Sequence, residues 1–200
     1  MRHLCRMFVM LGLLAGSSML FAQDNESTLR VKLITSAGDI TLRLYPEKSP
    51  VTVENFLAYV DSGFYNGTIF HRVISNFMVQ GGGFTTAMTE KVSGEPIVNE
   101  SRNKLHNIRG TVAMARTSDP DSATAQFFIN QRSNLQLDWA PGKEGYTVFG
   151  EVVKGMGVVD FIATADTDTG LMTTGAGQRP FQDVPVEAIV IKEIVRVRGK

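Results

Sequence analysis

Four short stretches of this chain carry the residue types that could do chemistry. They read Phe70-His71-Arg72-Val73-Ile74, Asn76-Phe77-Met78-Val79-Gln80-Gly81-Gly82, Gly110-Thr111-Val112-Ala113-Met114-Ala115-Arg116 and Ala125-Gln126-Phe127-Phe128-Ile129-Asn130. Together they set one guanidinium and several carboxamides among large, soft apolar side chains. Strand alternation places Arg72 with Ile74 on one face, and Met78 with Gln80 on one face of the next strand. One site built from them would hold a fixed cation, amide groups and an apolar floor, with no nucleophile and no metal.

Each piece alone has a plainer explanation. An arginine on a strand ordinarily faces solvent, a buried glutamine ties down a loop, and Phe77, Met78, Phe127 and Phe128 suit a barrel core. His71 reads as a structural histidine. Gly81-Gly82-Gly83 lacks the spacing and the helix start of a phosphate cradle, so it reads as backbone that turns sharply or lets another group come close. Only the combination points to a site. Other chemistries are missing: the chain contains no G-x-S-x-G elbow, no G-x-x-x-x-G-K-[ST] loop and no H-E-x-x-H pair. The three histidines (His3, His71 and His106) are scattered and the single cysteine is Cys5, which gives no zinc spacing.

The elements that must position these residues are mostly strands. Period-two alternation marks Leu29, Val31 and Leu33, then Ile40, Leu42 and Leu44, joined by a turn at Ser36-Ala37-Gly38-Asp39. Six further strands are expected at 68–73, 77–81, 111–115, 126–130, 148–153 and 189–197, with a weak extended stretch at Ile97-Val98. One helix begins at Pro50 behind a capping Ser49, buries Val53, Phe56, Leu57 and Val60, and stops at Gly63. A second, shorter helix follows Gly157. Residues 166–182, rich in Thr, Gly and Asp, read as a surface loop. Eight strands with two helices favour a mainly β fold, an eight-stranded closed antiparallel barrel capped by the helices.

Composition bounds the rest. The 200 residues carry 20 Lys+Arg against 20 Asp+Glu, 43% of them are hydrophobic, and no repeat is visible. This excludes a disordered tail, a disulfide-stapled miniprotein and a basic nucleic-acid binder. Arg2, His3 and Arg6 precede the apolar run Met7–Leu14, then Gly16, Ser17 and Ser18, and Ala22, the pattern of a secretory signal peptide. Residues 1–22 are therefore expected to be a leader and 23–200 the domain, a monomer exported to the periplasm or beyond. The apolar run falls short of the roughly 20 residues a membrane span needs, so no membrane association is expected once the leader is removed.

At its motifs the sequence resembles a cyclophilin, the family of peptidyl-prolyl cis–trans isomerases. The family pattern F-H-R-V-I-x-x-F-M-V-Q-G-G is closely matched at residues 70–82, and Met114-Ala115 and Ala125–Ile129 resemble two further signatures. The resemblance continues through Ser49–Phe56 and Val148-Phe149-Gly150, and the leader looks most like the exported bacterial branch. It implies that Arg72 is the essential cation and that Phe77, Met78, Phe128 and Leu137 form a proline pocket. It further implies that Gln80, Ala115 and Gln126 hold the peptide backbone of a proline-containing polypeptide. Arg116 and Tyr146, also assigned to substrate binding, stand where the best-known eukaryotic members have asparagine and histidine. Gln136 stands where a tryptophan or phenylalanine usually closes the pocket. These departures leave isomerase activity expected and argue against tight cyclosporin binding. Rotation about an X–Pro bond needs no cofactor. The rival reading is a module that binds Pro-containing segments without catalysis.

Overall fold

A computed structural model describes residues 29–197. The expected leader, with Cys5, lies outside the described residues. Ten strands are present: β1 Arg30–Thr35, β2 Gly38–Leu44, β3 Thr68–Ile74, β4 Met78–Thr85, β5 Thr111–Met114, β6 Phe127–Asn130, β7 Val148–Lys154, β8 Thr167–Thr174, β9 Gly177–Pro185 and β10 Val190–Val197. Eight of them close an antiparallel barrel in the order β1-β10-β3-β4-β6-β5-β7-β2. The helices are α1 Pro50–Asp61 and α2 Met156–Ile162. The expected mainly β barrel with two helices is the fold observed.

Alternation sorts every barrel strand into two faces. Val73, Val79, Ile129 and Val112 are successive cross-strand partners on β3, β4, β6 and β5, and all four point into the barrel, at most 2% exposed. Phe56, Leu57 and Val60 of α1 and Val159 and Ile162 of α2 join the same cluster. Removing each such side chain from water contributes about 1.5–3 kcal/mol. Because the interior is filled, any binding surface must lie on the outer face or at the rim.

Two expectations are corrected. Ser49 does not cap α1 with its side chain; its hydroxyl donates instead to the Val148 carbonyl at 2.8 Å. Two N–H groups of the first turn, which have no carbonyl partner within the helix, go to Glu100, whose carboxylate accepts from Val51 N at 3.2 Å and from Thr52 N at 2.8 Å. A carboxylate suits that end of the helix dipole.

The second correction concerns residues 166–182, which are not a loop. They supply β8 and most of β9, a two-stranded hairpin separate from the barrel sheet. Its anchor is a second apolar cluster, in which Met172 and Val184 pack with Ile69 of β3 and Phe84 of β4. Backbone hydrogen bonds from Thr173 N to Met88 O and from Glu90 N to Thr173 O, both 2.8 Å, tie β8 to the segment after β4.

Candidate active site

The register of the barrel builds the site. Arg72 is the cross-strand partner of Gln80, Gln80 of Phe128, Phe128 of Ala113 and Ala113 of Val148. Residues directly opposite one another share a face. One row therefore crosses β3, β4, β6, β5 and β7 on the outside of the barrel and places a guanidinium at one end and apolar groups at the other. Met78, Ala113, Phe128 and Val148 form a buried cluster there, with Phe77, Ala115, Leu137 and Tyr146 packed against it. Phe127 and Phe128 part company: the first fills the barrel interior, the second this outer cluster.

Above the row lies a cavity of about 520 Å³, within the range of small-ligand sites. Arg72, Phe77, Met78, Gln80, Ala115, Arg116, Phe128, Leu137 and Tyr146 all contribute to its wall. Gln126 is not part of that wall; its Oε1 accepts a hydrogen bond from Gln80 Nε2 at 3.1 Å, while its carbonyl accepts from Ala115 N at 2.9 Å. The Arg72 side chain is 41% exposed, and its Nε lies 3.6 Å from the Asp183 carboxylate. Arg116 is pinned by the carbonyls of Gly145, Thr117 and Glu144 and lies 4.4 Å over the Tyr146 ring. Tyr146 in turn meets Phe128 edge-on at 5.7 Å.

A buried amide chain holds the loops that carry Phe77, Leu137 and Tyr146. Asn130, Asn107 and Asn134 are at most 2% exposed. Asn134 Nδ2 donates to the Phe77 carbonyl at 2.9 Å and to Asn130 Oδ1 at 2.8 Å, and Asn130 Nδ2 donates to Asn107 Oδ1 at 3.1 Å. Leu137 N donates to Asn134 O, and Tyr146 N to Leu137 O. The chain ends at Asp138, whose Oδ1 accepts from Asn107 N at 2.7 Å. Burial works to raise the Asp138 carboxyl, but hydrogen bonds from Asn107 and His106 outweigh it and hold the group below the usual carboxylate range.

The triple glycine has a packing cause. Gly82 adopts φ +85°, and a Cβ there would lie 2.9 Å from the rings of Phe127 and Tyr65. A Cβ on Gly83 would come within 2.5 Å of Gln126 Cγ, the flexible side chain that bonds Gln80. Gly83→Ala should therefore leave the barrel folded but swing Gln126 aside and sever that bond. The expected loss is about 1 kcal/mol, roughly fivefold in kcat/KM for a proline peptide. Unchanged kinetics would remove Gln126 from the binding surface.

Comparison with known proteins decides the family. The description "Cyclophilin type peptidyl-prolyl cis-trans isomerase/CLD" matches residues 30–195. The chain belongs to the cyclophilins. It is 52% identical over 166 residues to peptidyl-prolyl cis-trans isomerase A of Dickeya dadantii, covering 83% of each chain. It is 51% identical over 164 residues to isomerase B of Escherichia coli K12, covering 80% of this chain and 94% of that one. Among solved structures, a cyclophilin-type isomerase of Cryptosporidium parvum superposes with a TM-score of 0.69 at 27% identity, covering 86% of this chain and 99% of its own. A second structure of it, in the presence of the dipeptide Ala-Pro, gives a TM-score of 0.68 at 28% identity, with 85% and 99% covered.

In this cyclophilin Gln136 is exposed and does not reach the cavity; the 3-10 turn Leu135–Leu137 presents Leu137 instead. One whole wall of the cavity was not expected from the sequence. Arg179, Pro180, Phe181, Gln182 and Asp183 of β9 close the cavity on the β3 side. His71 also reaches the wall; it is 1% exposed, packs at a tilt with its centroid 4.7 Å from that of the Phe84 ring, and leaves Nδ1 without a partner among the described residues. Burial, with Arg72 next to it, pushes its pKa down from 6.5 to about 4, so it is neutral at physiological pH. The β9 wall had a faint signal, the threonine-rich alternation around Met172 and the Gly175-Ala176-Gly177 turn.

Proposed function

We propose that this cyclophilin accelerates rotation of X–Pro bonds in exported polypeptides, with Arg72 stabilising the twisted amide. The observation that carries the reading is a guanidinium on the wall of the same cavity as Phe77, Met78, Phe128 and Leu137. The barrier to be lowered is roughly 18–20 kcal/mol of amide resonance, and the uncatalysed turn takes tens to hundreds of seconds. As the bond twists, conjugation is lost and the prolyl nitrogen gains a localised lone pair. A donor aimed at that nitrogen gains strength only as the twist develops, so it favours the transition state over the ground state. Arginine suits the task because its donors form a rigid fork that stays charged at any working pH.

The apolar group of four grips the proline ring and fixes one side of the rotating bond. Gln80, Gln126 and Ala115 hold the peptide backbone, while Arg116 and Tyr146 border the mouth of the cleft. Shortening a 100 s event to 10 ms takes about 5.4 kcal/mol, within reach of one charged hydrogen bond and a positioned ring. Export rests on the leader pattern at residues 1–22. The test uses the chain as its cell makes it. The exported form should begin after Ala22 by mass spectrometry and accelerate isomerisation of a proline tetrapeptide, with little sensitivity to cyclosporin. A chain retained in the cytoplasm with residues 1–22 intact refutes the export half. Isomerisation at the uncatalysed rate refutes the catalytic half.

A further inference from the structure

Nine arginines lie among the described residues, and five of them pair with a carboxylate: Arg43, Arg72, Arg102, Arg109 and Arg196. Two of the other four, Arg116 and Arg179, stand on the wall of the same cavity. With Arg72 and Asp183 the wall has a formal charge of +2, because His71 is neutral, whereas the whole chain sums to zero. Neither of these two cations dangles at random. Arg116 is fixed by three carbonyls and the Tyr146 face. Arg179 lies 5.1 Å over the Phe181 ring, and Phe181 packs edge-on against the buried Phe84 at 5.6 Å. Stacking on a ring orients a guanidinium without neutralising it.

The two cations occupy opposite flanks of the row. Arg116 follows β5, whereas Arg179 sits on β9, beyond β3. The path from β3 through β4 and β6 to β5 takes three strand spacings, about 14 Å, and β9 lies beyond β3, so an extended peptide needs at least roughly four residues to run from one cation to the other. A segment lying across Arg72 and the apolar group would therefore pass one fixed cation on each side of its proline.

We infer that this cleft selects X–Pro bonds flanked by acidic side chains, with Arg179 and Arg116 receiving the carboxylates on the two sides. The inference rests on the isomerase reading and names its substrate class. Arg179 is exposed and Arg116 half-buried, so the preference is moderate and sensitive to salt.

The experiment follows isomerisation of Ala-Ala-Pro-Phe-type peptides by NMR exchange, so that no coupling protease imposes its own preference. Glu, Ala or Lys is placed two residues before or two residues after proline. At low salt, kcat/KM for the Glu peptides should exceed that for the Lys peptides about fivefold at each position, shrinking below about twofold at 1 M salt. Arg179→Glu should invert the Glu/Lys ratio at one of the two positions and preserve it at the other. Because a ratio is read, any general damage to the variant cancels. Equal kcat/KM for Glu and Lys peptides, with the Ala peptide turned over normally, overturns the inference and leaves the isomerase reading standing. An unaltered ratio in Arg179→Glu overturns the role of Arg179. Failure to turn over every peptide, the Ala one included, overturns the isomerase reading and the inference with it.

Discussion

Arg72→Ala should lower kcat/KM on a proline tetrapeptide at least about a hundredfold, the loss of roughly 2.7 kcal/mol of transition-state stabilisation. The fold should barely notice. Arg72 makes no side-chain hydrogen bond among the described residues, and its one ionic neighbour, Asp183, lies 3.6 Å away with both side chains more than a third exposed. Exposed pairs of this kind contribute about 0–1 kcal/mol. The midpoint of chemical unfolding should therefore stay close to that of the parent while activity collapses. Arg72→Lys separates charge from shape, since the ammonium keeps the cation but loses the planar fork. It should fall between the parent and the alanine variant. A lysine variant as fast as the parent would reduce the role of Arg72 to charge alone. An alanine variant as fast as the parent would end the catalytic assignment and favour a cleft that merely binds proline segments.

The barrel was readable because its strands alternate so regularly. Val31, Leu33, Ile40 and Leu42 are fully buried and Leu44 nearly so, whereas Lys32, Thr41 and Arg43 between them are not. The two helices announced themselves through Pro50 and the spacing of their apolar residues. The contents of the site were legible as residue types, but their meeting was not. Arg72, Gln80, Phe128 and Ala113 share a row only because four strands from distant parts of the chain adopt one register, and no local pattern fixes a pairing between β4 and β6 across nearly fifty residues.

What stayed hidden has the same cause each time: a partner far away in sequence. The carboxylate that caps α1 comes from Glu100, 48 residues beyond Thr52. Asn107 and Asn134 look like ordinary loop asparagines, and Asn130 like the end of a strand, until they bond one another. The β8–β9 hairpin buries little, chiefly Met172 and Val184, and its apolar counterpart Ile69 and Phe84 lies about a hundred residues upstream. With so few inward residues its threonines and glycines resemble loop composition. Yet this hairpin brings Asp183 to Arg72 and sets Arg179 at the rim. The least legible element thus supplies one whole wall of the cavity.

His71 gives the second large effect, on stability. Its pKa falls from 6.5 to about 4 because the ring is buried, and Arg72 on the same strand opposes a second positive charge. Between those two values the unfolded chain binds a proton that the folded chain refuses, so acid favours unfolding. The contribution is fully present above pH 6.5, erodes as the pH falls, and is exhausted near pH 4. Its full size is about 3 kcal/mol, of which about 2 kcal/mol goes between pH 7 and pH 5. Asp61, Asp138, Glu144 and Asp160 also have lowered pKa values, but their loss of stability comes at lower pH, as they are protonated below the ordinary carboxylate range. The two windows separate the causes. Urea unfolding at pH 7, 6 and 5 should show the parent losing stability steadily, and His71→Asn, whatever its absolute stability, should show a nearly flat line. A parent equally stable at pH 7 and pH 5 would mean that the buried ring accepts its proton without cost. The cavity beside Arg72 would then have to be far wetter than its packing against Phe84 implies.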